Sequence, residues 1–161
     1  MTTLPLPPVD AVLARPRREA LDALRALGWR TAARPPALDA ARRRRLNLDL
    51  SDPDLLLERG GEVEAVARVE TDGEGRAVLL EVVGGEPADP ARTAAALLGR
   101  DPGAPRTGGD AAAREWIWGP EAGTPTAAGS EPVRIWICAE RAQGDRLWLV
   151  ASLVRRPGDD D

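Results

Sequence analysis

The segment from Val63 to Val83 constrains the fold most, because two aliphatic runs flank the pair Asp72-Gly73. Asp-Gly is the preferred pair for a two-residue type I′ turn, so the sequence predicts a β-hairpin. This turn sets Val69 opposite Arg76 and makes one face of the hairpin almost entirely aliphatic. A shift of one residue would mix aliphatic and charged side chains on both faces, so the pattern and the turn support one register. The further predicted partners are Ala67 with Val78, Ala65 with Leu80, and Val63 with Val82.

A second hairpin is predicted from Val133 to Val154, with its turn at Gln143-Gly144-Asp145. Gly in the left-handed position of a three-residue loop is a common way to join two antiparallel strands. Period-two alternation then divides the side chains between two faces. The apolar face carries Ile135, Ile137, Ala139, Leu147, Leu149, Ala151 and Leu153. The mixed face carries Arg134, Trp136, Cys138, Glu140, Arg146, Trp148, Val150 and Ser152.

Two helices are predicted from helical spacing and end signals. The first spans roughly residues 16–27, and Gly28 is placed to end it in a left-handed conformation. Trp29 follows and can fold back onto the last turn, which indicates a core residue. The second helix is bracketed by Asp89-Pro90 and Gly99, a cap, a first-turn proline and a terminating glycine.

The remaining elements are less sharply marked. Alternating leucines predict a strand over Leu46–Leu50. Residues 52–61 fit a short helix that begins at Asp52-Pro53, and they also fit a strand that enters a Gly60-Gly61 hairpin; the helix is favoured. A short strand is predicted over Glu115–Trp118. The Pro- and Gly-rich segments 100–109 and 119–132 are predicted to be loops.

These elements indicate an α+β fold. The expected architecture is a five- or six-stranded, mostly antiparallel sheet with two or three helices packed on one face. The chain of 161 residues has the usual size of one domain. We expect an extended Pro-rich lead without a packing pattern over residues 1–14, one α+β domain over 15–154, and a polar disordered tail over 155–161.

Missing residue types exclude much familiar chemistry. The chain has no His, Lys, Tyr or Phe, a bias typical of a GC-rich coding sequence. It therefore has no imidazole base or metal ligand, no Schiff-base lysine and no phosphate-loop lysine. The sequence indicates no catalytic residue, no metal site and no cofactor. Paired carboxylates drawn from Glu115, Glu121, Glu131 and Glu140 leave a carboxylate-based enzyme as an open alternative.

The sequence also bears on where in the cell the protein is found. No apolar run approaches the roughly 18 residues that a membrane span requires. The beginning of the sequence lacks the basic start and apolar stretch of a secretory signal. A single cysteine, Cys138, cannot form an internal disulfide. We expect a small soluble cytoplasmic protein that has no membrane partner.

The tryptophans and nearby arginines are the first candidate binding group. Trp and Arg are the residue types most enriched at interface hot spots, and Arg over Trp adds cation–π attraction. If the last three strands are neighbours, four indoles and two guanidiniums would share the sheet face opposite the helices. The alternative is a second layer of core, covered by the Gly/Pro-rich connections. The candidate residues are Trp116, Trp118, Arg134, Trp136, Arg146 and Trp148.

An arginine run is the second candidate group. Arg42, Arg43, Arg44 and Arg45 could contact phosphates of nucleic acid or another polyanion. Residues 1–50 carry a net charge of +5 and residues 51–161 a net charge of −9, which fits either an arm for an acidic partner or a segment that neutralises its own domain. The chain as a whole is acidic and has no recognised nucleic-acid-binding motif, so nucleic acid is the less favoured partner.

Two weaker candidates have ordinary explanations. Asp49, Asp52 and Asp54 are closely spaced carboxylates but lack the spacing of a calcium loop. Cys138 lies mid-strand in a chain without His, which favours a small apolar role over a nucleophilic one. The sequence therefore favours a non-enzymatic interaction or accessory module, which binds a protein partner or a second copy of itself through the Trp/Arg-bearing sheet face or a strand edge.

Overall fold

The computed structural model describes residues 4–31, 40–46, 48, 53–84, 89–119, 133–140 and 146–154. A short 3-10 helix, Val9–Ala11, precedes the α-helices α1 (Arg17–Arg25), α2 (Ala40–Arg45) and α3 (Pro90–Leu98). The strands are β1 (Arg30–Thr31), β2 (Leu55–Arg59), β3 (Glu62–Thr71), β4 (Ala77–Gly84), β5 (Arg106–Gly109), β6 (Ala113–Trp118), β7 (Val133–Glu140) and β8 (Arg146–Leu153).

One antiparallel sheet contains all of these strands, in the order β1-β2-β3-β4-β8-β7-β6-β5. The α+β class and the antiparallel pairing agree with the sequence prediction, but the expected five or six strands are too few. The described residues form eight. The additional strands are short and lie toward the ends of the sheet, where they carry no clear alternation of apolar residues. Segment 100–109, expected to be a loop, ends in β5.

The segment after Pro53 is a strand, so the favoured helix is wrong and the alternative is correct. Leu55 and Leu57 pack on one face of the sheet and Leu56 on the other. Gly60 and Gly61, both with positive φ, make the turn into β3. Five backbone pairs with β3 outweigh the local helix-start signal, because they satisfy the backbone of β2 while its leucines pack on both faces of the sheet.

The strand expected over residues 46–50 is also not observed. Leu46 and Leu48 lie in a turn after α2, and the Leu48 N–H donates to the Arg43 carbonyl at 2.9 Å. Both leucines are nevertheless buried, as their alternation with polar residues predicts. Residues 47, 49 and 50 lie outside the described part of the chain.

The β3–β4 hairpin forms with a longer turn than predicted. Gly73, Glu74 and Gly75 occupy the turn, and Asp72 Oδ1 accepts the Arg76 backbone N–H at 3.0 Å. Because these hydrogen bonds favour the carboxylate, the backbone N–H of Arg76 foremost, the pKa of Asp72 lies below its ordinary value.

The longer turn and a bulge between Glu70 and Thr71 together move the β4 partners of Val69 and Ala67 by four residues. Val69 lies opposite Leu80, not Arg76. Ala67 lies opposite Val82, not Val78. The total shift is an even number, so Val69 and Ala67 keep their predicted face, whereas Val63 was predicted on that face and packs with a second apolar cluster on the other face.

The β7–β8 hairpin has the predicted division of faces. Ile135 lies opposite Ala151 and Trp136 opposite Val150. Its turn, residues 141–145, lies outside the described residues. Strand β8 also pairs with β4, and Val82 lies opposite Leu149, so the two hairpins form one continuous sheet.

The main core lies between α1, α3 and one face of the sheet, which we call the inner face. Ala20 and Leu24 of α1 and Ala94 and Leu97 of α3 are fully buried there. The expected helix ends are confirmed: Gly99 is left-handed after α3, and Asp89 caps its first turn. Trp29 is 2% exposed, as predicted for a core residue, and its Nε1–H donates to the Pro5 carbonyl at 2.8 Å.

The Pro-rich lead packs against this core, although no packing pattern was expected there. Leu4, Val9, Val12 and Leu13 are buried with the inner-face residues. Helix α2 departs from the prediction as well, since it lies on the opposite, outer face of the sheet. Its Arg44 carbonyl accepts from Arg146 Nη1 at 3.1 Å, and Arg146 belongs to the outer face. Among the described residues, no helix has the length and apolar character needed to cross a bilayer.

A partly buried polar contact attaches α1 to the sheet. Arg17 forms an ion pair with Asp54 and donates to the Val69 carbonyl at 2.7 Å. Asp54 Oδ2 accepts the Val69 N–H at 2.7 Å. One carboxylate therefore connects the first turn of α1, the start of β2 and the middle of β3.

We expect Asp54→Ala to lower the free energy of unfolding by about 1–3 kcal/mol, because it leaves a charged donor and a backbone N–H without their acceptor. The matched control is Asp22→Ala, which removes an exposed pair with Arg25 within α1 and should cost less than about 0.5 kcal/mol. Urea denaturation of both variants measures the difference. Equal losses would show that the Asp54 contact has no special role in attaching α1.

Candidate functional site

The structure divides the four predicted site tryptophans between two faces. Trp116 and Trp118 lie opposite Ile137 and Ile135, so they belong to the inner face. Trp136 and Trp148 lie on the outer face with Arg134 and Arg146. The single patch of four indoles that the sequence suggested does not form.

The inner-face tryptophans contribute to the fold. Trp118 is 3% exposed, and its Nε1–H donates to the Gly103 carbonyl at 3.1 Å. Trp116 packs against the core cluster, and the Arg114 guanidinium lies 5.8 Å from its ring centroid. Both indoles help close the end of the core beside β5 and β6.

Trp148 is held by polar groups on the outer face. Its Nε1–H donates to Glu81 Oε2 at 3.0 Å, and the other oxygen of Glu81 accepts from Arg68 at 3.2 Å. The Arg146 guanidinium lies 5.4 Å from the Trp148 ring centroid and contacts Glu140 Oε2 at 2.6 Å. Arg146 is 6% exposed. Trp148 and Arg146 therefore belong to a packed polar network that is almost closed to solvent.

A second apolar cluster covers the half of the outer face near β2, β3 and β4. Leu46 and Leu48, from the turn after α2, pack there with Trp148. The other members of the cluster are the buried Leu56, Val63, Val66 and Val83. This half of the outer face is a second core, but Leu46 and Leu48 cover it, and not the Gly/Pro-rich connections that the alternative interpretation named.

The other half of the outer face contains an open groove of about 560 Å³, which we call the Trp136 groove. Strand register explains its composition: Val150, Trp136, Ile117 and Arg106 lie side by side on β8, β7, β6 and β5. Ser152 and Arg134 are the adjacent pair, two residues along β8 and β7. Ile117, Trp136 and Val150 are only half-buried, so the described surface exposes part of an apolar floor.

The Trp136 ring is fixed while its polar atom remains available. It meets Trp148 edge to face, with centroids 5.4 Å apart and planes at 83°. Such pairs contribute about 0.5–1.5 kcal/mol and hold a ring in place. In the described part of the chain, Trp136 Nε1 and the Ser152 hydroxyl have no hydrogen-bond partner, whereas three of the other four indoles donate to an acceptor.

Two arginines flank the floor of the groove. Arg106 is exposed, and its Nη2 donates to the Gly119 carbonyl at 3.3 Å. Arg134 is half-buried at the start of β7. The described residues that line the groove include no carboxylate. Its described polar groups are therefore hydrogen-bond donors, two of them cationic, with the Ser152 hydroxyl also able to accept.

The edge of the described sheet beside the groove is short. Strand β5 ends the sheet and has four exposed residues. Gly109 has φ +80°, and a Cβ at this position would collide with the Ala113 carbonyl oxygen. A short edge with an irregular end offers few backbone groups for another strand, so the edge is a weaker candidate than the face.

The alternative arginine run lies on α2. Arg43 is half-buried and Arg44 is exposed, with its Nε donating to the Ala40 carbonyl at 3.4 Å. The side chains of Arg42 and Arg45 are outside the described structure. Helix α2 thus borders the covered half of the outer face and does not contribute to the described lining of the Trp136 groove.

Except for Glu115, the carboxylate candidates are used in structural contacts or lie outside the described residues. Asp54 pairs with Arg17, and Glu140 pairs with Arg146. Glu115 shares the outer face with Glu140, on the neighbouring strand. Asp49, Asp52, Glu121 and Glu131 are not described. Among the described residues, no group of three or more acidic or cysteine side chains is arranged to hold a metal ion.

Four residues of the groove are not among the predicted site residues: Val150 and Ser152, which the sequence placed only on the mixed face, and Arg106 and Ile117, which it did not single out. Arg106 lies in a Pro/Gly-rich segment that predicts a loop. Ile117 is hidden between two tryptophans, although alternation along β6 requires it to face away from both. Its position follows once Trp116 and Trp118 are assigned to the inner face.

Comparisons of the chain with protein-family models, with curated proteins and with solved structures find no match. Function is therefore inferred from the residues of the Trp136 groove alone.

Cys138 is an unreactive core residue in this arrangement. It is 3% exposed, and burial, followed by repulsion from Glu140 and Glu115, raises the pKa of its thiol from 9.0 to about 11. The thiolate is the reactive form, and the folded protein therefore keeps Cys138 protonated at neutral pH.

We expect the folded protein to react with a thiol reagent at pH 8 at least about 100-fold more slowly than the protein unfolded in urea, because two pKa units change the thiolate fraction by that factor. The raised pKa also stabilises the fold below pH 9, and this contribution is lost as pH rises toward 11. Rapid labelling of the native protein would contradict the assignment.

Proposed function

We propose that this chain is a protein-interaction module that binds a partner protein at the Trp136 groove. The observation that carries the proposal is an indole in the middle of an open sheet face, with its ring fixed by Trp148 and its N–H without an acceptor in the described structure. Buried tryptophans and arginines near the centre of an interface account for most binding energy in many complexes.

The position of Trp136 supports a binding role more than a stabilising one. Trp148, its neighbour on the same face, donates to Glu81 and lies under the leucines that follow α2. Trp136 has neither contact among the described residues. A rigid, half-buried aromatic side chain loses little conformational entropy on binding, which favours affinity.

The groove provides the centre of an interface and not its whole area. Stable complexes bury about 1,200–2,000 Å² in total, so a partner must also cover the polar residues around the groove. A partner protein can do so across β5 to β8. Polyanion binding through α2 would instead depend steeply on salt, and this dependence separates the two functions experimentally.

We expect Trp136→Ala to weaken capture of the partner at least about 30-fold, the effect of losing a 2 kcal/mol hot spot. Trp116→Ala is the matched control, because it deletes the same ring from the inner face. The measurement is photo-crosslinking in a nuclease-treated lysate of the source organism. A benzoyl-phenylalanine replaces either Val150, in the groove, or Ala96, an exposed residue of α3. Circular dichroism confirms that each variant is folded.

The proposal requires a protein adduct from position 150 that is absent from position 96 and lost with Trp136→Ala. An adduct with a second copy of the chain would identify the partner as itself. Equal adducts from both positions, or an adduct that survives Trp136→Ala, would remove the groove as the binding site. Binding that disappears with nuclease or high salt would favour the polyanion function.

A further inference from the structure

We propose that the Trp136 groove binds a proline-rich segment of the partner in the polyproline II conformation. This assignment rests on the proposed interaction function and specifies the chemistry of its partner. The Trp136 ring and the aliphatic side chains beside it contact proline rings, while the indole N–H and the Ser152 hydroxyl donate to backbone carbonyls of the segment.

The apolar floor of the groove is a row of side chains that crosses three strands. Trp136 lies between Ile117, its partner on β6, and Val150, its partner on β8. Neighbouring strands are about 4.8 Å apart, so the row extends over about 10 Å. A polyproline II helix has three residues per turn, and prolines on one edge of it recur about every 9 Å. The row is therefore long enough to contact two such prolines, with the indole between them.

Two side-chain donors beside this row fit backbone carbonyls. Ser152 is the diagonal neighbour of Trp136, with about 7–8 Å between the two Cα atoms. Both residues are half-buried, and in the described part of the chain neither Trp136 Nε1 nor the Ser152 hydroxyl has a hydrogen-bond partner. An indole N–H that a ligand encloses needs an acceptor. A polyproline II segment makes no internal hydrogen bonds, so its carbonyls can accept from both groups.

The position of these donors favours a proline-rich segment over an added β-strand. A strand joins a sheet at an edge, where it exchanges backbone hydrogen bonds with its neighbour. Strands β7 and β8 are each paired on both sides, so a ligand on this face meets side chains only. Each backbone N–H that such a ligand buries without an acceptor costs free energy. Proline has no N–H, and its fixed φ reduces the entropy that the segment loses on binding.

The test measures the fluorescence anisotropy of labelled decaproline against the full chain, with a Gly-Ser peptide of equal length as the control ligand. We expect Trp136→Phe, which keeps a ring and removes the N–H, to weaken binding about fivefold, the effect of losing one neutral hydrogen bond. Ser152→Ala should have a similar effect, and Trp136→Ala a larger one. Trp116→Phe is the matched control, because it removes an indole N–H from the inner face and should retain binding.

The indole N–H signals in the NMR spectrum of the isotope-labelled protein report on the proposed donor itself. The signal of Trp136 is the one that Trp136→Phe removes. We expect decaproline to shift this signal and to leave that of Trp29 in place, because the Trp29 N–H already donates to the Pro5 carbonyl. A purely structural role of Trp136 would not produce this difference.

The outcomes separate this inference from the proposed function. If decaproline does not bind, if the Gly-Ser peptide binds equally well, or if the Trp136 signal does not move, the proline-rich segment is wrong. A Trp136-dependent adduct would then still support the interaction module, whereas absence of both the adduct and peptide binding would overturn both proposals.

Two further results would assign the groove to another occupant and overturn the assignment to a partner. The first is a free protein that is dimeric and becomes monomeric when decaproline binds, which would make a second copy of the chain the occupant. The second is decaproline binding that strengthens at least about tenfold when residues 155–161 are removed, which would make these residues the occupant.

Discussion

The pairing of β4 with β8 is the constraint on which the rest of the structure depends. Each hairpin is local in sequence, and an isolated two-stranded hairpin is at best marginally stable in water. When Leu80 lies opposite Ala151 and Val82 opposite Leu149, the two aliphatic faces become one surface. That surface is wide enough to bury α1, α3 and the N-terminal residues in one core. The Trp136 groove lies beyond this pairing, and its composition is set by the registers of β8 with β7, β7 with β6 and β6 with β5.

Alternation of side chains predicted faces better than it predicted partners. The turn at Asp72 is longer than an Asp-Gly pair suggests, and a bulge lies next to it, so Val69 lies opposite Leu80 and not Arg76, but the combined shift is even and keeps Val69 on the inner face. Helix ends that satisfy their own backbone groups, such as Asp89 and Gly99, were also predictable. Predictions failed where distant pairing decided the structure. Three leucines, Leu55 to Leu57, satisfy either a helix or a strand, and only their partner β3 determines which.

The candidate site was predictable within one hairpin and not between hairpins. Trp136 and Trp148 share a face because β7 and β8 are neighbours with a fixed alternation. The side of β6 that carries Trp116 depends on its register with β7. A shift of one residue there would have placed Trp116 and Trp118 beside Trp136, as the sequence suggested. Nothing local in either strand specifies that register.

The contrast between Trp136 and Trp148 is the structural basis of the proposed binding role. Both indoles lie on the outer face, in contact with each other, and either could contribute to a second core. Trp148 does so, since an acceptor from β4 and a cover of leucines complete its surroundings. Within the described structure, Trp136 lacks both, although a polar atom of this kind usually finds a partner when it is enclosed. The fold thus holds the Trp136 ring through Trp148 and leaves part of the apolar floor around it exposed among the described residues. In the proposed function, the packing that stabilises Trp148 also prepares Trp136 for a partner.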